Sequence, residues 1–354
     1  MIAIHHLPGS FSDRWETYCA KHQIPFIAVN LFDHAIVRDL QNQGIRGLLF
    51  NPKDHAAPRT RLAARAVCQA LELGGITVFP NSAGYWHCDD KIAQHYLLES
   101  LRTPRCPTYI FYDLNEALHW GASTHYPKVF KLRCGAGSSN VQLVRNRQQG
   151  ERLIRRMFGR GLRATLGIFN DLGTKVHKHR THRDWHGAIR RLPQTLSALL
   201  SARRETPRER GYAYFQEFLP NNDHDTRVTI IGNRAFAFRR LVRPNDFRAS
   251  GSGRIDFGPA KVDLRCVRIA FNTARQIGAQ CLAFDFALDA TRSPVVLEMC
   301  YAFVPDAVFK CPGYWDEALE FHERQQWPQD AIMEDFVAAL GVKSRPGELK
   351  LSLV

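Results

Sequence analysis

Residues 281–300 read CLAFDFALDATRSPVVLEMC, two apolar stretches separated by a short polar segment. This pattern is typical of a β-hairpin. If the turn is centred on residues 290–293, Asp285 lies opposite Glu298, with both side chains on one face of the strands. Two carboxylates directly opposite each other repel, and partial burial increases the repulsion. The hairpin therefore predicts a group that compensates the two negative charges.

A divalent cation between Asp285 and Glu298 would turn this repulsion into a binding site. Carboxylate oxygens are hard ligands that suit Mg²⁺, and this ion is usually shared with phosphate groups. Three alternatives stay open: one carboxyl group is protonated, one is paired with an arginine, or the register of the hairpin is shifted.

A second hairpin is predicted over residues 227–239, with its turn at Gly232 and Asn233. Extending the pairing places Asp225 opposite Arg240. Opposite charges at facing positions stabilise a strand pair, so this pair is typical of a structural cross-strand ion pair. A helix is predicted over residues 263–277, ending at Gly278.

Residues 134–139, CGAGSS, form a glycine-rich loop between candidate strands at 128–133 and 140–144. The phosphate loops of Rossmann and Walker A proteins lead from a strand into a helix, so this loop is neither. Its backbone N–H groups could approach a nucleotide without interference from Cβ atoms, but an ordinary hairpin turn has the same pattern. Lys131, flanked by apolar residues just before the loop, needs an anion or access to solvent.

Short strands and helices alternate over residues 1–100, which predicts a small parallel α/β domain. Apolar residues between 62 and 71 have the spacing of a helix, which ends at Gly74 and Gly75. The candidate strands are residues 2–5, 26–30, 47–50 and 76–79, and a further helix is predicted over about 90–101.

The basic charge is concentrated in one part of the chain. The 354 residues include 48 Lys and Arg against 34 Asp and Glu, a formal net charge of +14. Residues 145–210 alone contain 17 Lys and Arg and five acidic residues, a net charge of +12. Such a segment can be a solvated surface, a site for an anionic substrate or polymer, or a nucleic-acid surface.

The composition excludes several classes of protein. A hydrophobic fraction of 45% and a charged fraction of 23% indicate a globular chain of about two domains rather than a disordered one. The sequence contains no run of about 18 apolar residues, and its start lacks the pattern of a secretory signal. The nine cysteines form no CxxC pair, which favours a reducing, cytoplasmic location.

The order of these features resembles the ATP-grasp superfamily, in particular ligases of the glutathione-synthetase and ribosomal-protein glutamate ligase type. The similar segments extend over about residues 76–305 and occur in the family's order. They are FPNS at 79–82 with DDK at 89–91, YPKVFK at 126–131 with the glycine-rich loop, YFQEFLP at 214–220, DTRV at 225–228 and DFR at 246–248. The resemblance implies an α/β (α+β) chain, with an ATP-grasp fold preceded by an N-terminal parallel α/β domain.

The resemblance also assigns residues to cofactor binding. It implies that ATP is bound by Lys91, Lys131, Gly135, Gly137, Ser138, Ser139, Glu217, Phe218, Leu219 and Asp225. It implies that Arg240, Arg243 and Arg248 lie beside the transferred phosphoryl group. Asp285, Glu298 and Cys300 match the Mg²⁺-ligand positions, although Cys300 replaces the family's asparagine. A thiol is a soft, poor ligand for Mg²⁺, so the number of bound metal ions is left open.

Four segments are expected on the same basis. Residues 1–105 form the N-terminal α/β domain, and residues 106–211 form a first ATP-grasp subdomain with the glycine-rich loop and a basic insertion at 145–210. Residues 212–340 form a second subdomain with the adenine hinge and the metal site, and residues 341–354 form a C-terminal tail.

The resemblance implies an ADP-forming ligase that joins a carboxylate to an amine through an acyl phosphate. The alternatives are an ATP-grasp kinase that phosphorylates a hydroxyl group, and a basic binding protein that kept the fold without turnover. The basic segment lies between the glycine-rich loop and the hinge, so we expect it at one wall of the cleft. This position favours small anionic carboxylate and amine substrates over nucleic acid.

The aromatic segment at residues 301–327 resembles the tail of ATP-grasp proteins found among surface-polysaccharide genes. The resemblance implies a role in surface-polysaccharide or amino-acid metabolism, while a packed C-terminal cap has the same composition. A monomer and a homodimer are both left open.

Overall fold

The computed structural model describes residues 1–51, 58–134, 140–163, 208–243, 246–301 and 303–341. The strands are β1 (Ile2–His5), β2 (Phe26–Val29), β3 (Gly47–Leu49), β4 (Thr77–Phe79), β5 (Thr108–Phe111), β6 (Lys128–Lys131), β7 (Val141–Val144), β8 (Leu162–Arg163), β9 (Arg208–Glu209), β10 (Ala213–Glu217), β11 (His224–Ile231), β12 (Arg234–Leu241), β13 (Ile255–Asp256), β14 (Cys281–Leu288), β15 (Pro294–Cys300), β16 (Tyr314–Trp315) and β17 (Phe321–His322). The α-helices are α1 (Phe11–Lys21), α2 (Ile36–Asn42), α3 (Pro58–Leu73), α4 (Ser82–Tyr85), α5 (Lys91–Ser100), α6 (Leu114–Ser123), α7 (Arg147–Phe158), α8 (Leu264–Ile277), α9 (Pro305–Phe309) and α10 (Pro328–Ala339).

Four parallel strands form the N-terminal sheet, in the order β2-β1-β3-β4. Helix α1 begins after the N-cap Ser10 and buries Trp15, which contacts the ring of Phe79 in β4. The helix predicted over residues 62–71 is part of α3, and Gly75 after it has a φ of +84°, a conformation that favours glycine. The predicted parallel α/β arrangement of this part of the chain is confirmed.

The second sheet is antiparallel, in the order β5-β10-β6-β7. Successive residues of its strands point to opposite faces. Phe130 and Phe215 point toward α6, where the ring of Phe215 contacts Trp120. Their neighbours Lys131 and Tyr214 therefore lie on the other face of the sheet.

The third sheet has the order β15-β14-β11-β12-β16-β17, with β13 also paired to β12. Helix α8 covers one face through an apolar cluster that contains Val228, Phe284 and Met299. On the opposite face, Phe236 and Phe238 join the core of the N-terminal sheet. The predicted helix over residues 263–277 is confirmed as α8, which ends at Gly278 in the left-handed conformation.

The N-terminal sheet covers only part of that face, and charged residues occupy the rest. Paired residues of adjacent strands share a face, as do residues two apart along one strand. The strand registers therefore place five charged side chains beside Phe238 on this face. These residues, which we call the charged row, are Asp225 and Arg227 of β11, Arg240 of β12, Asp285 of β14 and Glu298 of β15.

A narrow cavity, which we call the inter-sheet cavity, separates α5 and the second sheet from β15. Its lining includes Lys91, Gln94, Tyr214, Gln216, Leu297 and Glu298. The cavity brings the start of α5 and the uncovered face of the second sheet to one end of the charged row. None of the described helices is long and apolar enough to cross a membrane.

Candidate functional site

The predicted opposition of Asp285 and Glu298 is confirmed by the register of β14 and β15. Beyond this pair the register shifts by one residue, since Phe286 pairs with Val296 and leaves Leu297 as a β-bulge. The predicted register is therefore correct beside the two carboxylates and wrong near the turn. A bulge next to a functional residue re-aims the side chains around it.

Arginines compensate the negative charge of Asp285. Nε and Nη2 of Arg227 donate to its two carboxylate oxygens at 2.7 and 2.8 Å, and Nη2 of Arg240 lies 2.8 Å from Oδ2. Burial alone would raise the pKa of Asp285, but the two guanidinium groups outweigh it and hold the pKa well below its usual range. Of the alternatives that the sequence left open, pairing with arginine is the one found.

Asp225 and Arg240 form the cross-strand ion pair that the second hairpin predicts. Arg240 donates through Nε and Nη2 to the two oxygens of Asp225 at 2.7 and 2.6 Å. Both residues are 8% exposed, and burial raises the pKa of Asp225 in spite of the arginine. Asp225, Arg240, Asp285 and Arg227 thus form one continuous network of buried charges.

Lys91 compensates Glu298. It is the first residue of α5, whose N-cap Asp90 accepts a hydrogen bond from the backbone N–H of Ala93 at 3.0 Å. The Lys91 Nζ lies 3.1 Å from Oε1 of Glu298. Burial lowers the pKa of Lys91, but the charges of Glu298 and Asp89 and the hydrogen bond to Glu298 together outweigh that effect, so the pKa is raised. Glu298 has a 29% exposed side chain and so remains accessible from the inter-sheet cavity.

Lys131 approaches Glu298 from the second sheet. Its side chain is buried, and no described residue forms an ion pair or a hydrogen bond with its ammonium group. Burial lowers the pKa of Lys131, the negative charge of Glu298 opposes that effect, and the positive charge of Lys91 adds to it. Two lysines from different elements therefore interact with one carboxylate, and among the described residues Lys131 has no counter-ion of its own.

At the predicted hinge, the side chain of Glu217 is bound by two neighbouring residues. Its side chain accepts from Lys128 Nζ at 2.6 Å and from the Tyr109 hydroxyl at 2.8 Å. The ring of Tyr109 contacts Trp120 of α6, so this carboxylate turns away from the inter-sheet cavity. Lys128 is not a predicted site residue. It lies on the α6 side of the second sheet, whereas Lys131 lies on the opposite side.

The next two hinge residues are tied to neighbouring loops. The ring of Phe218 packs edge-on against Phe247, with 5.8 Å between the ring centres. The carbonyl of Leu219 accepts from Asn222, whose side-chain amide also bonds both backbone groups of Leu288. The hinge is thereby attached to the end of β14.

Arg243 and Arg248 lie in the segment after β12, outside the charged row. Nη2 of Arg243 donates to the carbonyl of Gly251 at 2.6 Å. Arg248 forms an ion pair with Asp246 at 2.8 Å, which raises the pKa of this arginine. Both side chains are about one-third exposed, at 39% and 33%.

The glycine-rich loop residues Gly135, Gly137, Ser138 and Ser139 lie outside the described residues. The backbone just before them is held firmly. Glu209 accepts hydrogen bonds from the backbone N–H groups of Arg133 and Cys134 at 2.9 and 3.2 Å. Nε of Arg133 also donates to Asp90 at 2.9 Å, next to Lys91. Glu209 counted only as a charge in the sequence, because no local pattern links it to the loop.

Cys300 lies near the thiol of Cys88, which hydrogen-bonds to it and lowers the pKa of Cys300. No group of three or more potential metal-ligating side chains of His, Cys, Asp or Glu occurs in the part of the chain that the structure describes. Asp285 and Glu298 nevertheless face each other, and Glu298 is accessible. Magnesium shared with phosphate needs only one or two carboxylates, so the accessible carboxylate of Glu298 fits such an ion.

The described part of the basic segment does not line the inter-sheet cavity. Helix α7 turns Leu153, Ile154 and Met157 toward the second sheet, on the face that α6 also covers. Its Arg155 and Arg156 are exposed on the outer surface. The expectation that the basic segment forms one wall of the cleft is therefore wrong for α7, and residues 164–207 lie outside the described residues.

Comparisons with known proteins identify the fold. No protein-family model matches the sequence, and no curated protein matches it significantly. A RimK domain ATP-grasp protein from Sphaerobacter thermophilus superposes with a TM-score of 0.54 at 13% identity, over 95% of this chain and 98% of that one. D-cycloserine synthetase DcsG gives a TM-score of 0.55 at 16% identity, over 95% and 99% of the two chains. The ATP-grasp ligase PsnB gives 0.56 at 13%, over 95% and 97%. The chain has the ATP-grasp fold.

Proposed function

We propose that this chain is an ATP- and Mg²⁺-dependent ligase that joins a carboxylate to an amine. The convergence of Lys91 and Lys131 on Glu298, at the end of the charged row, carries the proposal. Burial of the Lys131 ammonium group, which has no counter-ion among the described residues, costs free energy. A bound anion offsets that cost, and the phosphates of ATP are such an anion. The ATP-grasp fold supports the same activity, and one solved structure of PsnB contains Mg and ADP.

The proposed reaction has two steps. A carboxylate oxygen of the first substrate attacks the γ-phosphorus of ATP, and the bond from that phosphorus to ADP breaks. The nitrogen of the amine then attacks the acyl carbon, inorganic phosphate leaves, and the nitrogen loses a proton. Both steps need fixed positive charge beside the phosphoryl oxygens and exclusion of water, which would hydrolyse the acyl phosphate.

The residues of this chain would supply that charge. Lys91 and Lys131 neutralise the phosphates, and Arg240 stabilises the transferred phosphoryl group. Mg²⁺, when bound, neutralises phosphate charge and orients the phosphoryl group, with Glu298 as its accessible carboxylate. Asp225 and the backbone of residues 217–219 are proposed to contact the nucleoside, and Gly135, Gly137, Ser138 and Ser139 to bind the phosphates.

The substrates are proposed to be small and anionic. Arg243 and Arg248 follow Arg240 along the chain, and their side chains are accessible enough to bind a carboxylate. Arginine binds carboxylates through two parallel hydrogen bonds, which fixes their orientation. The basic helix α7 no longer supports this assignment, because its arginines lie on the outer surface.

Nucleotide binding is tested with the Lys131→Met variant and thermal unfolding in ATP and Mg²⁺. At a nucleotide concentration of about 100 times Kd, binding stabilises the folded wild-type chain by about 2.7 kcal/mol. We expect Lys131→Met to lose most of that stabilisation, while Lys21→Met, which alters an exposed lysine of α1, retains it. A wild-type chain that is not stabilised by millimolar ATP and Mg²⁺ would contradict the proposal and favour a non-catalytic binding protein.

The reaction type is tested by product analysis with nuclear magnetic resonance on a panel of carboxylates and amines. A ligase yields ADP, inorganic phosphate and an amide. A kinase instead yields ADP and a stable phosphoester of a hydroxyl group, without release of inorganic phosphate. The second result would retain the nucleotide site and overturn the ligase assignment.

A further inference from the structure

Arg227 holds the carboxylate that the sequence assigned to a metal ion. Its Nε and Nη2 groups bond both oxygens of Asp285 at 2.7 and 2.8 Å, and Arg240 lies 2.8 Å from one of them. The side chains of Asp285 and Arg227 are only 12% and 16% exposed. Two guanidinium groups therefore fix this carboxylate inside the protein.

Glu298 has different surroundings, although it lies directly opposite Asp285. Among the described residues, Lys91 is the cation in contact with it, at 3.1 Å, and the Glu298 side chain is 29% exposed. The third expected ligand is the thiol of Cys300, a soft atom that binds Mg²⁺ poorly. Of the three residues at the metal-ligand positions, Glu298 is the one that offers an accessible oxygen to a hard cation.

A metal ion bound to Asp285 would stand next to two fixed positive charges. Like charges repel strongly when protein rather than water surrounds them, and salt screens buried charges only weakly. One carboxylate together with phosphate oxygens and water is an ordinary coordination sphere for Mg²⁺. The arrangement thus favours a metal ion at Glu298 and disfavours one at Asp285.

The two arginines also keep donors for a second partner. Each uses Nε and Nη2 in its bonds to the carboxylates, and no described residue bonds Nη1 of either arginine. A guanidinium group has five N–H donors in a rigid plane, so Nη1 can still donate to a phosphoryl oxygen. Arg227 and Arg240 can therefore supply positive charge where a second metal ion would otherwise supply it.

We propose that this chain binds one divalent ion with each ATP, held by Glu298 and the phosphates, and that Arg227 and Arg240 replace a second ion. Asp285 is then a positioning residue that fixes the two arginines and has no bond to metal. The inference rests on the proposed nucleotide site.

The experiment counts metal ions on the wild-type protein. Mn²⁺ replaces Mg²⁺ because its electron paramagnetic resonance signal distinguishes free from bound ion, and a non-hydrolysable ATP analogue prevents turnover. At saturating analogue, we expect one Mn²⁺ bound per bound nucleotide. A ratio of two would overturn the inference and leave the proposed function intact, whereas no nucleotide binding would overturn both.

Variants locate the ion. Glu298→Gln is expected to weaken Mn²⁺ binding at least tenfold while the analogue still binds in the absence of metal. Asp285→Asn is expected to keep the ratio of one. Should this variant fail to fold, the wild-type ratio still tests the inference, because two bound Mn²⁺ per nucleotide would overturn it. Loss of the bound Mn²⁺ in a folded Asp285→Asn variant would assign the ion to Asp285 and overturn the inference.

Discussion

Arginines occur in two regions with opposite surroundings. In the charged row, Arg227 and Arg240 have side chains that are 16% and 10% exposed, and each bonds carboxylates at 2.6 to 2.8 Å. On α7, Arg155 and Arg156 are exposed, and no described acidic side chain pairs with either. The same side chain therefore serves as part of a buried network in one region and as solvated surface in the other.

The difference shows that net charge does not locate a site in this chain. The segment at 145–210 contains most of the net charge of +14. The charged row adds little to that number, because its arginines are matched by Asp225 and Asp285. An exposed ion pair contributes little to stability, because water screens it. A buried charge needs a partner of opposite charge, because leaving it unpaired costs several kcal/mol.

The largest effect is expected when a buried arginine is removed. Arg240→Met should lower the free energy of unfolding by about 3–5 kcal/mol at pH 7, because Asp225 is left as a buried charge without its partner. Burial already raises the pKa of Asp225, and protonation removes the unpaired charge. The loss should therefore become smaller as the pH falls from 7 to 5.

Urea-induced unfolding at the two pH values measures this effect. Arg156→Met is the matched control, since it makes the same chemical change on the exposed face of α7. We expect the control to change the free energy of unfolding by less than about 0.5 kcal/mol. Equal effects of the two substitutions would remove the distinction between the regions.

His87 is a third case, a buried titratable side chain that is neutral at pH 7. It is fully buried, and burial lowers its pKa to about 4, with the positive charge of Arg65 acting in the same direction and Asp90 opposing it. The unfolded chain has the ordinary value of about 6.5. Between these values the unfolded chain binds a proton that the folded chain does not, so stability falls by about 3 kcal/mol from pH 6.5 to pH 4.

His87→Leu should remove this part of the pH dependence. The free energy of unfolding should therefore fall less between pH 7.5 and pH 4.5 in the variant than in the wild type. His34→Leu is the control, because the His34 side chain is 94% exposed. Unfolding curves across this range measure the slope for each protein. An unchanged slope in His87→Leu would mean that another group takes up the proton.

The sequence predicts the charged residues that face each other within a single hairpin. Asp225 with Arg240 and Asp285 with Glu298 each lie in one hairpin, where a short turn fixes the register. The contact of Arg227 with Asp285 depends on the pairing of β11 with β14, which are separated in the chain by β12 and α8. No local pattern specifies that register, so the arginine that holds Asp285 could not be identified.

The sequence also does not predict which face of the second sheet lies toward the candidate site. Alternation predicts that Lys128 and Lys131 project to opposite sides of β6. Which side is the site depends on where α6 packs, and this follows from the contact of Trp120 with Phe215. For the same reason Glu217 matched a motif and yet turns its side chain toward Tyr109. The sequence motifs predict the fold, but the directions of these side chains depend on how the helices pack on the sheet.

The smallest effect is expected on the outer surface of α7. Replacing Arg155 and Arg156 with Gln should change the free energy of unfolding by less than about 0.5 kcal/mol. At low ionic strength the variant should be slightly more stable than the wild type, because two like charges are removed from a crowded basic helix. The difference should vanish in about 1 M salt, where the screening length falls to about 3 Å. Thermal unfolding at both ionic strengths measures it, and a loss above about 1 kcal/mol would show that these arginines have partners in the folded chain as Arg240 does.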